Sequence, residues 1–128
     1  MDVIRVLVID DHTIVRYGII ELLAKAPDIE VVGNASDGPE ALHLVETERP
    51  DVILLDIRMP QMGGVEVARR VRATNRDVRV LALSASTEEE YICEMMAAGA
   101  AGYLTKDDEL NEIAKAVRAV ARGEVWVS

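Results

Sequence analysis

Asp10 and Asp11, Asp56, Ser84 and Lys106 are the residues whose types and separation could build one polar site from distant parts of the chain. Three carboxylates brought together repel, which is costly unless a cation joins them. Oxygen ligands with room for water suit Mg2+, a hard octahedral ion that keeps several of its waters. A carboxylate can also act as a nucleophile and form an acyl phosphate, in a transfer that mainly needs positioning and charge neutralisation. Lys106 could supply positive charge there, and the Ser84 hydroxyl could donate to a phosphoryl oxygen. Each residue also has an ordinary reading. An Asp pair between a strand and a helix is most often an N-cap. Asp56 and Ser84 could be plain loop residues, and lysines are mostly solvated.

The elements that carry these residues decide between the two. Apolar segments stand out at residues 3–9, 29–32, 52–55, 78–83 and 101–104. Three of them are nearly continuous rather than alternating, which suits strands buried on both faces of a helix-covered parallel sheet. Helical faces fall between: Val15, Ile19, Leu22 and Leu23; then Ala41, Leu44 and Val45; then Val65, Ala68 and Val71. Ile92, Met95 and Met96 follow, and Leu110, Ile113, Val117 and Val120 or Ala121 form the last stripe. Asp37 with Glu40, and Ser86 with Glu89, read as capping boxes. Pro50, Gly99 and Gly123 read as helix stops. Strictly alternating strands and helices with right-handed crossovers predict an α/β fold, a doubly wound five-stranded parallel sheet. In such sheets ligands sit at the carboxyl ends of the strands. All five polar residues fall there, so the ordinary readings would have to hold together at the one edge where a site is expected. A shared site is the better reading.

Composition narrows the function classes. The 128 residues carry 14 basic and 23 acidic side chains, a net charge of −9. Binding nucleic acid needs positive charge to displace counterions from phosphates, so direct nucleic-acid binding is not expected. The lone cysteine, Cys93, can form no internal disulfide and suits a reducing compartment. No apolar run reaches the roughly 20 residues of a membrane helix. A soluble, cytoplasmic domain without membrane contact is expected over residues 1–122. Residues 123–128, with apolar Val125, Trp126 and Val127 lacking a periodic partner, read as the start of a linker.

Four motifs lie in order at the predicted strand ends: Val8-Ile9-Asp10-Asp11-His12, Leu54-Leu55-Asp56-Ile57-Arg58-Met59-Pro60, Leu83-Ser84-Ala85, and Gly102-Tyr103-Leu104-Thr105-Lys106-Asp107. Each is weak alone, and the set at these spacings is specific. Over essentially its full length the chain resembles the receiver family of two-component response regulators. Its Asp-Asp-His opening, Lys106-Asp107 and Gly-Glu-Val-Trp ending are most similar to the NarL/FixJ branch.

The resemblance implies the flavodoxin-like strand order 2-1-3-4-5. It implies a phosphorylation-dependent switch rather than an enzyme, with Asp56 as phosphoacceptor from a sensor histidine kinase. Asp11 and Asp56 would ligate Mg2+ directly, Asp10 through water, and the Arg58 backbone carbonyl would complete the protein's share. Ser84 and Lys106 would bind the phosphoryl group, and Ser84 with Tyr103 would form the switch, with output through residues 87–121 or else the first helix. A helix-turn-helix DNA-binding output domain beyond this chain, homodimerisation on phosphorylation and a role in transcription regulation are implied as well.

Some residues depart from the family pattern. Asp107 replaces a proline that often follows the lysine, so a cis Lys106–Asp107 bond would cost about 3–4 kcal/mol. Gly63 replaces Asp or Asn, which predicts a looser Gly63-Gly64 turn. Arg58 and Ser86 flank the site and are expected to tune dephosphorylation. His12 and His43 are expected to face solvent on helices, and Met95 and Met96 to be core and helix surface. A haloacid-dehalogenase-type phosphatase would need an acid two residues after the nucleophile, where Arg58 cannot give up a proton. A flavin phosphate would be repelled by Asp10-Asp11. A receiver that signals only by binding would not need all five site residues.

Overall fold

Strands that are apolar at every position must be covered on both faces, and the computed structural model, which describes residues 2–85, 89–106 and 110–127, covers them. The order is β1 Ile4–Ile9, α1 Thr13–Ala24, β2 Ile29–Ala35, α2 Gly38–Glu48, β3 Val52–Asp56, α3 Gly64–Thr74, β4 Arg79–Ser84, α4 Glu89–Ala97 and β5 Gly102–Thr105. A 3-10 turn, Leu110–Glu112, then leads into α5 Ile113–Ala121. The five strands form one parallel sheet ordered β2-β1-β3-β4-β5.

Alternation within each buried strand divides the core. Val6, Val8, Val52, Leu54, Leu81 and Leu83 point to the side of α1 and α5. Leu7, Ile9, Ile53, Leu55, Val80 and Ala82 point to the side of α2, α3 and α4. Every one of these is fully buried. Among the described residues, no helix is long and apolar enough to cross a membrane.

Local signals act largely as expected. Asp37 caps α2 by accepting the Glu40 N–H at 2.9 Å. The Glu40 carboxylate reaches one residue further back than a capping box requires, to the N–H of Ser36 at 3.2 Å. Arg49, at φ 48, ends α2 just before Pro50, and Gly99, at φ 108, follows α4. Met95 is core and Met96 half-buried. The Ser86–Glu89 box and the Lys106–Asp107 bond lie outside the described residues.

The second strand and the tail depart from expectation. β2 continues to Ala35 rather than stopping at residue 32, because its ladder with β1 runs on through Val8↔Asn34 and Ile9↔Ala35. As an edge strand it can carry polar residues that a central strand could not. The tail, for its part, has a partner. Tyr103 N–H donates to the Trp126 carbonyl at 3.0 Å, and Trp126 N–H to the Ala101 carbonyl at 3.3 Å. Trp126 packs against the α1/α5 side of the core, while Val125 and Val127 face outward. A Cβ on Gly102 would lie 2.2 Å from the Trp126 carbonyl oxygen, so only glycine admits this pairing.

Candidate functional site

The carboxyl ends of β1, β3, β4 and β5 bring together the five polar residues singled out from sequence. Asp10 follows β1, held by its N–H to the Ala35 carbonyl at 3.1 Å. Asp56 is the last residue of β3, and Ile57 beyond it donates to the Leu83 carbonyl at 3.1 Å. Ser84 ends β4, and Lys106 just past β5 donates its N–H to the Ser84 carbonyl at 2.7 Å. The polypeptide ladder thus extends one step beyond the sheet and fixes where each side chain emerges.

Burial is deep for charged groups: Asp10 is fully enclosed, Asp56 is 4% exposed and Lys106 9%. The Lys106 ammonium lies 2.7 Å from Asp10 Oδ2 and 3.4 Å from Asp56 Oδ1. This lysine is therefore no solvated side chain, and its shorter contact is to Asp10 rather than to Asp56. The Arg58 N–H donates to Asp56 Oδ1 at 3.3 Å. Burial, followed by the Asp10 charge, pushes the Asp56 carboxyl up to about 7; Lys106 opposes this, and the neighbouring Asp11 carboxyl adds to it.

Asp11 Oδ1 and Asp56 Oδ2 are buried and have no hydrogen-bond partner among the described residues. Such atoms are rare in folded proteins and call for a ligand. Ligand atoms of Asp10, Asp11, His12 and Asp56 all lie within 4.8 Å of one another. The donor set is dominated by carboxylate oxygen, which fits a hard divalent cation such as Mg2+. Beside it lies a pocket of about 190 Å³ lined in part by Asp56, Arg58, Ser84, Tyr91 and Lys106.

Several residues had different expectations. His12 does not lie in the helix: it is the residue before α1, and its Nδ1 sits 3.3 Å from both Asp10 Oδ1 and Asp11 Oδ1. His43 is exposed on α2, as expected. In the Gly63-Gly64 turn it is Gly64 that packs closely, while a Cβ on Gly63 would meet only ordinary contact with the Ile57 carbonyl. Gly64 donates to the Ile57 carbonyl at 2.9 Å, and a Cβ there would come within 2.3 Å of the Asp56 carbonyl oxygen. Tyr103 is half-buried against the α2–α4 side of the core, paired with Ala82; it is not among the residues lining the pocket. The Arg58 guanidinium lies 5.3 Å from the centroid of the Tyr91 ring, a contact that sequence reasoning missed. Arg16 was missed too, although its spacing from Ile19 and Leu23 places it on the buried face of α1.

Comparison with known proteins identifies the family. Residues 6–118 match the response regulator receiver domain family. The chain is 42% identical over 125 residues to the response regulator GacA of Pseudomonas protegens, covering 98% of this chain and 59% of that protein. It is 42% identical over 123 residues to the nitrate/nitrite response regulator protein NarL of Escherichia coli strain K12, covering 96% of this chain and 57% of that one. Against the signal receiver domain of the protein named NarL in Mycobacterium tuberculosis, the TM-score is 0.91 at 43% identity, covering 97% of this chain and all of that one. The chain thus spans a little over half the length of these curated relatives.

Proposed function

Because this chain belongs to the response regulator receiver domain family, we propose that it is a phosphorylation switch whose acceptor is Asp56. One observation carries the reading. A buried carboxylate that lines a pocket stands beside two others and a buried ammonium, with carboxylate oxygens left unpartnered among the described residues. An ordinary structural site would have paired those atoms.

In the transfer, an oxygen of ionised Asp56 attacks the phosphorus of a phosphohistidine on a sensor kinase. A P–O bond forms, the P–N bond breaks, and the imidazole leaves with its electron pair and takes a proton. Asp11, Asp56, Asp10 through water and the Arg58 carbonyl would hold Mg2+, which when bound supplies charge neutralisation for the phosphoryl oxygens. Lys106 then turns from Asp10 toward the transferred group, and the Ser84 hydroxyl donates to one of its oxygens. The phosphoryl group carries about −1.5 to −2 charges where the free carboxylate carried one, so these groups must gather around it. Ser84 and Tyr103 are the proposed switch pair. The free site holds Asp56 partly protonated near neutral pH, and a cation beside it favours the nucleophilic, ionised form.

For the longer protein, residues 1–122 form the receiver, and residues 123–128, still held to it through Trp126, lead toward an output domain. By analogy with the relatives, that domain is a helix-turn-helix DNA-binding unit for transcription regulation in the cytoplasm, with homodimerisation on phosphorylation as its trigger. Incubation with Mg2+ and a small phosphodonor, followed by peptide mass spectrometry, tests the core of this reading. One phosphoryl mass on the peptide containing Asp56 is expected. Label on Asp10 or Asp11 instead, or turnover with no trapped adduct, would overturn it.

A further inference from the structure

Arg16 is a charged residue on the buried face of α1, only 8% exposed, in line with Ile19 and Leu23. Apolar side chains fill the next turns of that face, and burying a guanidinium is costly unless its donors are satisfied. They are. Helical side chains lean toward the helix start, so this one reaches back to the end of β1. There Nη1 donates to the Asp10 carbonyl at 2.8 Å, and Nε donates to Asn34 Oδ1 at 3.0 Å. The Tyr17 ring lies 5.3 Å from the guanidinium carbon.

The Asp10 carbonyl belongs to the peptide that joins Asp10 to Asp11. The tilt of that peptide plane sets the directions in which both carboxylates leave the backbone. One side of this turn is held by the Asp10 N–H to Ala35, and Arg16 holds the other side. Asn34 anchors the fork in turn, from a position that β2 reaches only because its ladder runs past residue 32.

We propose that Arg16 is a positioning residue for cation binding: its guanidinium clamps the Asp10–Asp11 peptide against the end of β2 and presets two carboxylates for Mg2+. The inference rests on the function proposed above and adds a residue that touches neither the cation nor the phosphoryl group. Groups that orient metal ligands typically contribute 10–100-fold in metal affinity.

Calorimetric Mg2+ titration of the wild type and of Arg16→Met, Arg16→Lys and Asn34→Ala, with melting in EDTA alongside, tests it. Arg16→Met should raise the Mg2+ dissociation constant about 10–100-fold. A lysine offers an ammonium in place of a rigid fork and should recover part of the loss. Asn34→Ala removes one anchor of two and should shift affinity the same way by less. Arg118→Met on α5 breaks a hydrogen-bonded pair with Asp28, just before β2, and should lower melting without moving Mg2+ affinity, which separates positioning from stability. Wild-type Mg2+ affinity in folded Arg16→Met overturns the proposal, as it would in Asn34→Ala if the methionine variant does not fold. Absence of any Mg2+ binding by the wild type would instead overturn the function on which the proposal rests.

Discussion

Two groups of charge in this molecule are built on opposite terms. At the pair between Asp28 and Arg118, two parallel hydrogen bonds of 2.7 and 2.9 Å satisfy both partners in a partly solvated setting. The hydrogen bonding lowers the Asp28 carboxyl and raises the Arg118 guanidinium, so each favours its ionised form. At the carboxyl end of the sheet, burial and the Asp10 charge raise Asp56 instead, and buried carboxylate oxygens remain without partners among the described residues. The first arrangement is complete as it stands; the second is complete only with something added. A site held out of balance in this way can answer strongly to a cation and to a phosphoryl group.

The largest effect should come from removing the acceptor. Asp56→Asn should fold and take up no phosphoryl label, because an amide is no carboxylate nucleophile, whereas Arg118→Met should be labelled like the wild type. Labelling by mass spectrometry compares them directly. Equal labelling of wild type and Asp56→Asn would erase the contrast between the two charge groups.

Next comes the cation. Mg2+ at 100 times its dissociation constant should stabilise the fold by about 2.7 kcal/mol, since it binds the native cluster and not the unfolded chain. Asp11→Ala should abolish that gain, and Asp28→Ala should leave it intact. Melting curves over millimolar Mg2+ measure both, and an unchanged wild-type midpoint would contradict the reading.

The pH response should be opposite in sign at the two places. Asp56 titrates at about 7 in the fold against an ordinary 3.8, so between those values the native state binds more protons than the unfolded one. Its contribution therefore makes stability fall as pH rises through that window. Asp28, lowered in the fold, contributes stability that is present above its unfolded value and lost on acidification below it. Denaturant melts in EDTA should show a flatter slope between about pH 4 and 7 in Asp56→Asn than in the wild type. Identical slopes would mean that the cluster is not under the proposed tension.

The smallest effect belongs to the satisfied pair. Arg118→Met should lower the melting temperature only slightly, since ion pairs open in part to water contribute little and salt screens them. A large loss, insensitive to salt, would show that this pair is a structural anchor rather than a trimmed surface contact.

Much of the fold and the site is legible in the sequence. Continuous runs such as Val6 to Ile9 and Val52 to Leu55 read as doubly covered strands, and they are. The site residues followed once their strand ends were placed. His12 is exposed as expected, but it precedes the helix rather than lying in it, because hydrophobic periodicity does not mark a helix's first residue. Arg16 was overlooked because apolar periodicity counts apolar residues and passes over a charge on the same face. Lys106 was read as supplying charge, yet its first partner, Asp10, could not be told from Asp56.

By itself the sequence determined the strand and helix positions, the parallel winding and the gathering of five polar residues at one edge. Those follow from hydrophobic period and connection handedness, which are local and largely independent of detail. Only the tertiary structure decided that β2 runs on to Asn34, that Arg16 grips the Asp10 carbonyl, and that Trp126 pairs beside Gly102. Each of these joins one element to another through hydrogen bonds a few ångströms long. Such pairing depends on where whole elements come to rest against one another, and no periodicity within a single element records it.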